Sequence, residues 1–271
     1  MKQRVREFNA ESQIEECVNF IKDYFANNGT SDTKAVIGIS GGKDSTIAAA
    51  LLVKALGPDR VIGVMMPQGE QKDINDSKRV CEILGITSYI VNIKDAVNGL
   101  YDALLGVGAH YDYTNPLPGV VTTNTPARIR MATLYAVAGM FGGRVCNTGN
   151  ASEAFIGYTT KYGDLAGDFA LLKNLTVRDV YAIGDALELP MDLVHKSPAD
   201  GMSGKTDEDN TGIPYDAVDD YLIDDIYPEQ AIYEKMIAAN KRNLHKRVIN
   251  LPAPRRVGEH LVNAYQNEWS F

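Results

Sequence analysis

Residues 40–45 read Ser-Gly-Gly-Lys-Asp-Ser, which places two hydroxyls, two glycines, one cation and one carboxylate on six consecutive residues. Hydroxyls, backbone N–H groups and a lysine are the donors that hold phosphate. Gly41 and Gly42 admit positive φ and close approach to the backbone. An acidic residue among these donors would repel an anion, but Asp44 makes sense if it holds a Mg²⁺ that the phosphates also touch. Two better-known phosphate loops do not fit. G-x-x-x-x-G-K-[ST] fails because Ile37 stands at its first glycine and Asp44 follows Lys43, and G-x-G-x-x-G fails at Ser40. The competing structural reading is an ordinary turn whose Asp44 caps the next helix.

The elements around this loop must aim it. An apolar, β-branched run from Ala35 to Ile39 stops at Ser40, and a helix-compatible stretch runs from Ser45 to Leu56, ended by Gly57-Pro58. Strand, glycine turn, helix points backbone N–H groups and a positive helix end at one spot. Apolar residues at Ile14, Cys17, Val18, Ile21 and Tyr24-Phe25 predict an amphipathic helix ahead of the strand. Further strands are expected at 61–66 and 88–91, with helices at 73–84 and 94–105. Alternation at this spacing predicts an α/β fold, a doubly wound parallel sheet with flanking helices. Residues 106–121 read as loop, followed by a long helix capped at Asn124 or Thr125 with Pro126 in its first turn. A short strand is expected at 144–147 and a turn at 148–150. Residues 157–170 read as loop, and Thr176 with Asp179 as a capping pair for a helix over 177–187. Residues 190–212 are polar and aperiodic, and the stretches 216–225 and 228–242 read as helices. The five Asp of 216–225 read as a solvated helix face.

Composition narrows the function classes. The 271 residues, 45% of them hydrophobic, suit one large α/β domain or two small ones, and a single domain spanning 1–271 is expected. Three widely spaced cysteines, Cys17, Cys81 and Cys146, read as buried thiols of a reducing compartment. No apolar run approaches the ~20 residues of a membrane span, and the N-terminus lacks the apolar core of a signal peptide. A cytoplasmic location without membrane association is expected. Net charge of −8 and a pI near 5.1 disfavour a nucleic-acid surface.

The Ser-Gly-Gly-x-Asp-Ser loop resembles that of the ATP pyrophosphatases with an adenine-nucleotide alpha-hydrolase-like fold. Within that group, nearly the whole chain is similar to the ammonia-dependent NAD synthetases. The resemblance rests on Gly38 to Ser45, Met65-Met66-Pro67-Gln68, Asn124 to Met131, Thr148 to Glu153 and Gly157 to Asp164. Asp168, Lys205-Thr206-Asp207-Glu208 and His245-Lys246-Arg247 extend it. The resemblance implies amidation of deamido-NAD by ammonia through an acyl adenylate, giving NAD, AMP and pyrophosphate. ATP is the co-substrate, with Mg²⁺ on Asp44 and Glu153, the pair on which catalysis centres. Gly38, Ile39, Ser40, Gly41, Gly42, Lys43, Asp44, Ser45 and Thr148 match the ATP contacts. Arg128, Lys161, Asp168, His245 and Lys246 match the deamido-NAD contacts. Taken alone, Glu153 also reads as a helix-start carboxylate, Arg128 as a solvated helix arginine and His245-Lys246 as a basic helix end.

Three positions depart from the family pattern. Val177 stands where many relatives carry a phosphate-touching Lys, with Lys173 and Arg178 as candidate substitutes. Ala199 follows Pro198 where Ser or Thr is common, and Asn210 stands where an acidic residue is common. Loops 66–73 and 196–212 are expected to act as lids that keep an acyl adenylate from water. No glutaminase domain is expected, so free ammonia or a separate amidase partner would supply nitrogen. The family also implies a homodimer, for which the 125–141 helix offers Ile129, Ala132, Ala136, Val137 and Met140, a face that reads equally well as core. The alternatives are another adenylating enzyme of the same loop class, or a nonenzymatic ATP- or AMP-binding module.

Overall fold

The protein is described by a computed structural model that covers residues 8–71, 74–106, 117–195, 206–248 and Pro254. Five parallel strands form the sheet: β1 Lys34–Gly38, β2 Val61–Met65, β3 Thr87–Ile90, β4 Gly143–Asn147 and β5 Phe169–Ala170. Their order is β3-β2-β1-β4-β5. The order reverses between β1 and β4, and ligands of such sheets bind outside the strand C-termini at that point. The loop after β1 is residues 39–42, and the turn after β4 is residues 148–150.

Alternation along the strands fills two cores. Ala35, Ile37, Val61, Met65, Cys146 and Phe169 face one side, and Val36, Ile62, Val64 and Val145 the other. The first side is covered by α1 Ala10–Asn28, α2 Lys43–Leu56 and α7 Val177–Ala186. The second is covered by α5 Gly119–Phe141 through Met131, Leu134, Val137 and Ala138. The doubly wound parallel expectation is therefore met. The remaining helices are α3 Ile74–Leu84, α4 Lys94–Gly106, α6 Ala151–Ile156, α8 Met191–Val194, α9 Asp207–Thr211, α10 Tyr215–Asp224 and α11 Gln230–Arg242. A third core, with Phe155, Val177, Tyr215, Leu222 and Met236, fastens α10 and α11 to α6. All three cysteines are buried and unpaired, as read from their spacing. Among the described residues, no helix is long and apolar enough to cross a membrane.

The structure corrects four expectations. α5 begins at Gly119, so Pro126 lies inside the helix rather than at its start. Proline cannot donate to the carbonyl four residues back; the Tyr101 hydroxyl of α4 donates to that Thr122 carbonyl instead, at 3.2 Å. Tertiary contact thus tolerates what local signals read as a boundary. The expected 157–170 loop closes on a fifth strand of only two residues, too short to show periodicity. The polar 190–212 stretch contains α8 and α9, while 196–205, including Ala199, lie outside the described residues. The 216–225 carboxylates are no uniform solvated face. Asp219 is fully buried and accepts the Ser152 hydroxyl and, at 2.8 Å, the Arg178 backbone N–H. Burial pushes its carboxyl up to about 7.

Candidate active site

The loop after β1 has the geometry of an anion cradle. Ile39 N–H still donates to Val64 O at 2.9 Å, so the chain leaves the sheet only at Ser40. Gly41 has φ +78°, and a Cβ there would lie 3.0 Å from both Ser77 N and Asp76 Cβ. Gly41 is therefore required both by its backbone and by its neighbours. Gly42 is extended, with φ −89°, so the expected positive φ holds for Gly41 alone. The Ser40 and Ser45 hydroxyls are 3.1 Å apart, and Ser40 Oγ accepts Gly42 N–H at 3.2 Å. Gly42 is the N-cap of α2 and supplies no side-chain cap, whereas α6, α7 and α9 all begin with capping boxes. α2 alone of these four leaves its first-turn N–H groups to a ligand. The plain-turn reading, in which Asp44 caps α2, is not what the chain does.

Asp44 turns toward the β4 side. Its Oδ1 accepts Asn150 Nδ2 at 3.0 Å, and its Oδ2 accepts Lys43 Nζ at 2.7 Å. Asn150 is the N-cap of α6: its side chain accepts Glu153 N–H at 3.0 Å, and Glu153 Oε2 accepts Asn150 N–H at 3.3 Å. One asparagine therefore joins both carboxylates, and Glu153 is at once a helix-start residue and a neighbour of Asp44. Burial, then the Asp44 charge, hold the Glu153 carboxyl well above the usual carboxylate range, against the pull of Lys43. Burial alone would lower the Lys43 ammonium, but Asp44 and Glu153 keep it above its ordinary value.

This donor set fits Mg²⁺, which binds oxygen and is held by one or two carboxylates together with phosphate oxygens and water. A buried hydroxyl without a partner, that of Tyr215 on α10, lies in the field of Glu153, Asp207 and Asp44. Among the described residues, no three His, Cys, Asp or Glu side chains form a self-sufficient metal cage. Substrate oxygens would complete the coordination.

A second cluster gathers beyond the C-terminal end of α6. Arg128 Nε donates to Lys161 O at 3.1 Å, and Lys161 Nζ donates to His245 O at 2.8 Å. Lys246 Nζ donates to Gly157 O and Thr159 O at 2.8 and 2.7 Å. Burial lowers the Lys246 ammonium. Arg128, Lys161, His245 and Lys246 are therefore brought together from three segments of chain. Asp168 is held elsewhere: it accepts Val145 N–H at 2.7 Å and Tyr135 hydroxyl at 3.2 Å, contacts that tie it to β4 and α5. Thr148 is half-buried in the turn after β4, which Asn147 fixes by accepting Gly149 N–H at 2.9 Å.

Val177 is buried at the start of α7 with its N–H on Ser152 Oγ. Arg178, a candidate substitute cation, is committed to Asp220 and Asp224. Lys173 is half-buried, and burial lowers its ammonium. The buried cation beside the carboxylates is Lys43, 5.8 Å from the Tyr181 ring, and Tyr181 is one turn beyond Val177 on α7. Asn210 donates to the Tyr158 hydroxyl at 3.2 Å. Segment 66–71 is pinned: Arg130 donates to Met66 O, and Asn92 bonds both the N–H and the C=O of Gly69. Residues 72–73 and 196–205 of the expected lids lie outside the described residues.

Sequence reasoning left Asn150, Tyr215 and Ser77 without roles. Asn150 was within reach, since Asn-x-x-Glu is the capping-box spacing. Tyr215 and Ser77 carry no local signal. The Ser77 hydroxyl, buried and without a partner, lies against Gly41 only because α3 packs across the sheet.

The fold and loop define a Rossmann-like α/β protein of the PP-loop type. The NAD synthase family profile matches residues 13–254, and the chain belongs to that family of ligases. It is 39% identical over 219 residues to the NH(3)-dependent NAD(+) synthetase of Pyrococcus furiosus, covering 80% of this chain and 79% of that one. Among solved structures, the NMN synthetase of Francisella tularensis superposes with a TM-score of 0.81 at 31% identity, covering 90% of this chain and 98% of that one. The NAD+ synthetase of Burkholderia pseudomallei gives 0.72 at 29% identity, covering 92% and 94%.

Proposed function

We propose that the chain amidates deamido-NAD with ammonia at the expense of ATP. A nicotinate carboxylate oxygen attacks the α-phosphorus, the bond to the bridging oxygen breaks, and pyrophosphate leaves. Ammonia then attacks the acyl carbon, AMP departs and the nitrogen loses a proton. Such transfer is mostly positioning and charge stabilisation. The loop N–H groups and the Ser40 and Ser45 hydroxyls would cradle the pyrophosphate, with Thr148 beside the nucleotide. Asp44 and Glu153 would hold Mg²⁺, which supplies neutralising charge to the phosphate oxygens. Arg128, Lys161, His245 and Lys246 would hold the dinucleotide, whose phosphates suit a cationic cluster.

The observation that carries the reading is the meeting of the β1 and β4 loops through Asp44 and Asn150 at the sheet's switch point. The NH(3)-dependent names of relatives matched over most of their length support ammonia as donor. A homodimer through α5 is part of the proposal: Ala132, Ala136 and Met140 lie on its exposed side, while Val137 packs on the sheet.

A second reading has a specific support, the TM-score of 0.81 to an NMN synthetase. On it, the substrate is nicotinate mononucleotide and the product NMN. The test is one assay with Mg-ATP, either nucleotide, and ammonium chloride or glutamine. NAD and AMP formed from deamido-NAD with ammonium alone are expected. Faster turnover of the mononucleotide would establish the second reading. No amide product despite saturable ATP binding would sink both.

A further inference from the structure

Lys43 is placed against the grain of its helix. It opens α2, where the helix dipole is positive and favours anions. Its side chain is only 3% exposed, yet lysine is almost never fully buried without a partner. Its ammonium donates to Asp44 Oδ2 at 2.7 Å, with the Tyr181 ring 5.8 Å away. The other Asp44 oxygen accepts Asn150, whose backbone N–H is held by Glu153. Lys43 therefore sits on the lone pairs that a divalent cation would use. An ammonium and a divalent cation compete for the same carboxylate oxygens, and the flexible lysine stem can carry the charge elsewhere.

We propose that Lys43 is a built-in counter-ion of Asp44 that gives up this carboxylate to the divalent cation and moves onto a phosphate oxygen. The bare protein then holds the cation poorly. Nucleotide and cation enter together, because the phosphates supply the new partner that Lys43 needs. The inference rests on the reading of Asp44 and Glu153 as cation ligands and adds to it an order of binding.

The probe is Mn²⁺ alone, with free ion counted by electron paramagnetic resonance on the full chain without nucleotide. Lys43→Met keeps the apolar stem and removes the charge, and it should bind Mn²⁺ at least about tenfold more tightly than wild type. Lys43→Arg should bind as weakly as wild type. Adding Asp44→Asn to Lys43→Met should abolish the gain. Equal, Asp44-dependent affinity in wild type and Lys43→Met would overturn the exchange while leaving the ligand reading intact. A gain that survives Asp44→Asn would overturn both. A measurement on the wild-type fold guards against a variant that does not fold. The Lys43 ¹⁵Nζ resonance, assigned by its loss in Lys43→Arg, should shift when magnesium pyrophosphate is added. A resonance that stays in place would overturn the proposal.

Discussion

The two ends of α6 are built on opposite principles. At its N-terminus, Asn150 and Glu153 close a capping box that also reaches Asp44, so carboxylates gather where the dipole is positive. Past its C-terminus, Lys246 and Arg247 donate to the carbonyls of Gly157, Thr159, Ala154 and Phe155, so cations gather where the dipole is negative. The first end is mostly buried and set by two sheet loops, and the second is more exposed and assembled from distant segments. On the proposed function, the difference separates two tasks. A cation-and-polyphosphate site needs carboxylates in fixed register, whereas a dinucleotide clamp needs positive charge at approximate positions. One short helix orients both.

The largest expected effect breaks the first end. Asp44→Asn should lower kcat/KM by on the order of 10³-fold, judged against the 10²–10³ typical of one charge-stabilising group. Melting the variant separates this from unfolding, since stripping the partner from buried Lys43 costs about 3–5 kcal/mol. Gly41→Ala should come next. With φ at +78° and Ser77 N 3.0 Å from the new Cβ, ATP binding should weaken and stability fall by about 1–3 kcal/mol, read by calorimetry.

Lys161→Met tests the second end. It should raise KM for the dinucleotide by roughly tenfold, the size of one charged hydrogen bond, with KM for ATP unchanged. A parallel rise in both would mean that the two ends are not separate. Tyr215→Phe removes a buried hydroxyl that has no partner, so the free protein should gain about 1 kcal/mol of stability. Turnover should fall severalfold if a ligand normally accepts that hydroxyl. Greater stability with unchanged turnover would leave Tyr215 a packing residue.

Asp219 has the smallest expected effect on activity and acts on stability, by way of pH. Its folded carboxyl lies near 7, above its unfolded value, so the folded state binds the extra proton between the two. Stability should therefore fall as pH rises from 5 to 8, by about 2–3 kcal/mol at ~1.4 kcal/mol per unit. Asp219→Asn should flatten that slope in urea titrations.

Local chemistry made the Asp44 side of the first end legible, while Glu153 was named from resemblance. Ser40 to Ser45 are contiguous, β1 and β2 are apolar runs, and Thr176 with Asp179 is a capping pair that the structure reproduces. The second end was named from resemblance alone, because Arg128, Lys161 and Lys246 meet only after α5, α6 and α11 have packed. What could not be read depends on tertiary context. Tyr101 accommodates Pro126, Asp219 is buried by α6 and α7, and β5 is two residues of borrowed strand. Val177 shows the same limit, since the buried cation comes from the first residue of α2 rather than from α7.

The most direct test is exchange of labelled pyrophosphate into ATP, with deamido-NAD present and ammonia absent. The wild-type chain is predicted to exchange only when deamido-NAD is added. Asp44→Asn should stay slow, by on the order of 10³-fold, at any substrate concentration, and Lys161→Met should recover at saturating dinucleotide. A wild-type chain that makes NAD yet never exchanges would contradict the acyl adenylate, and with it the division of labour between the ends of α6.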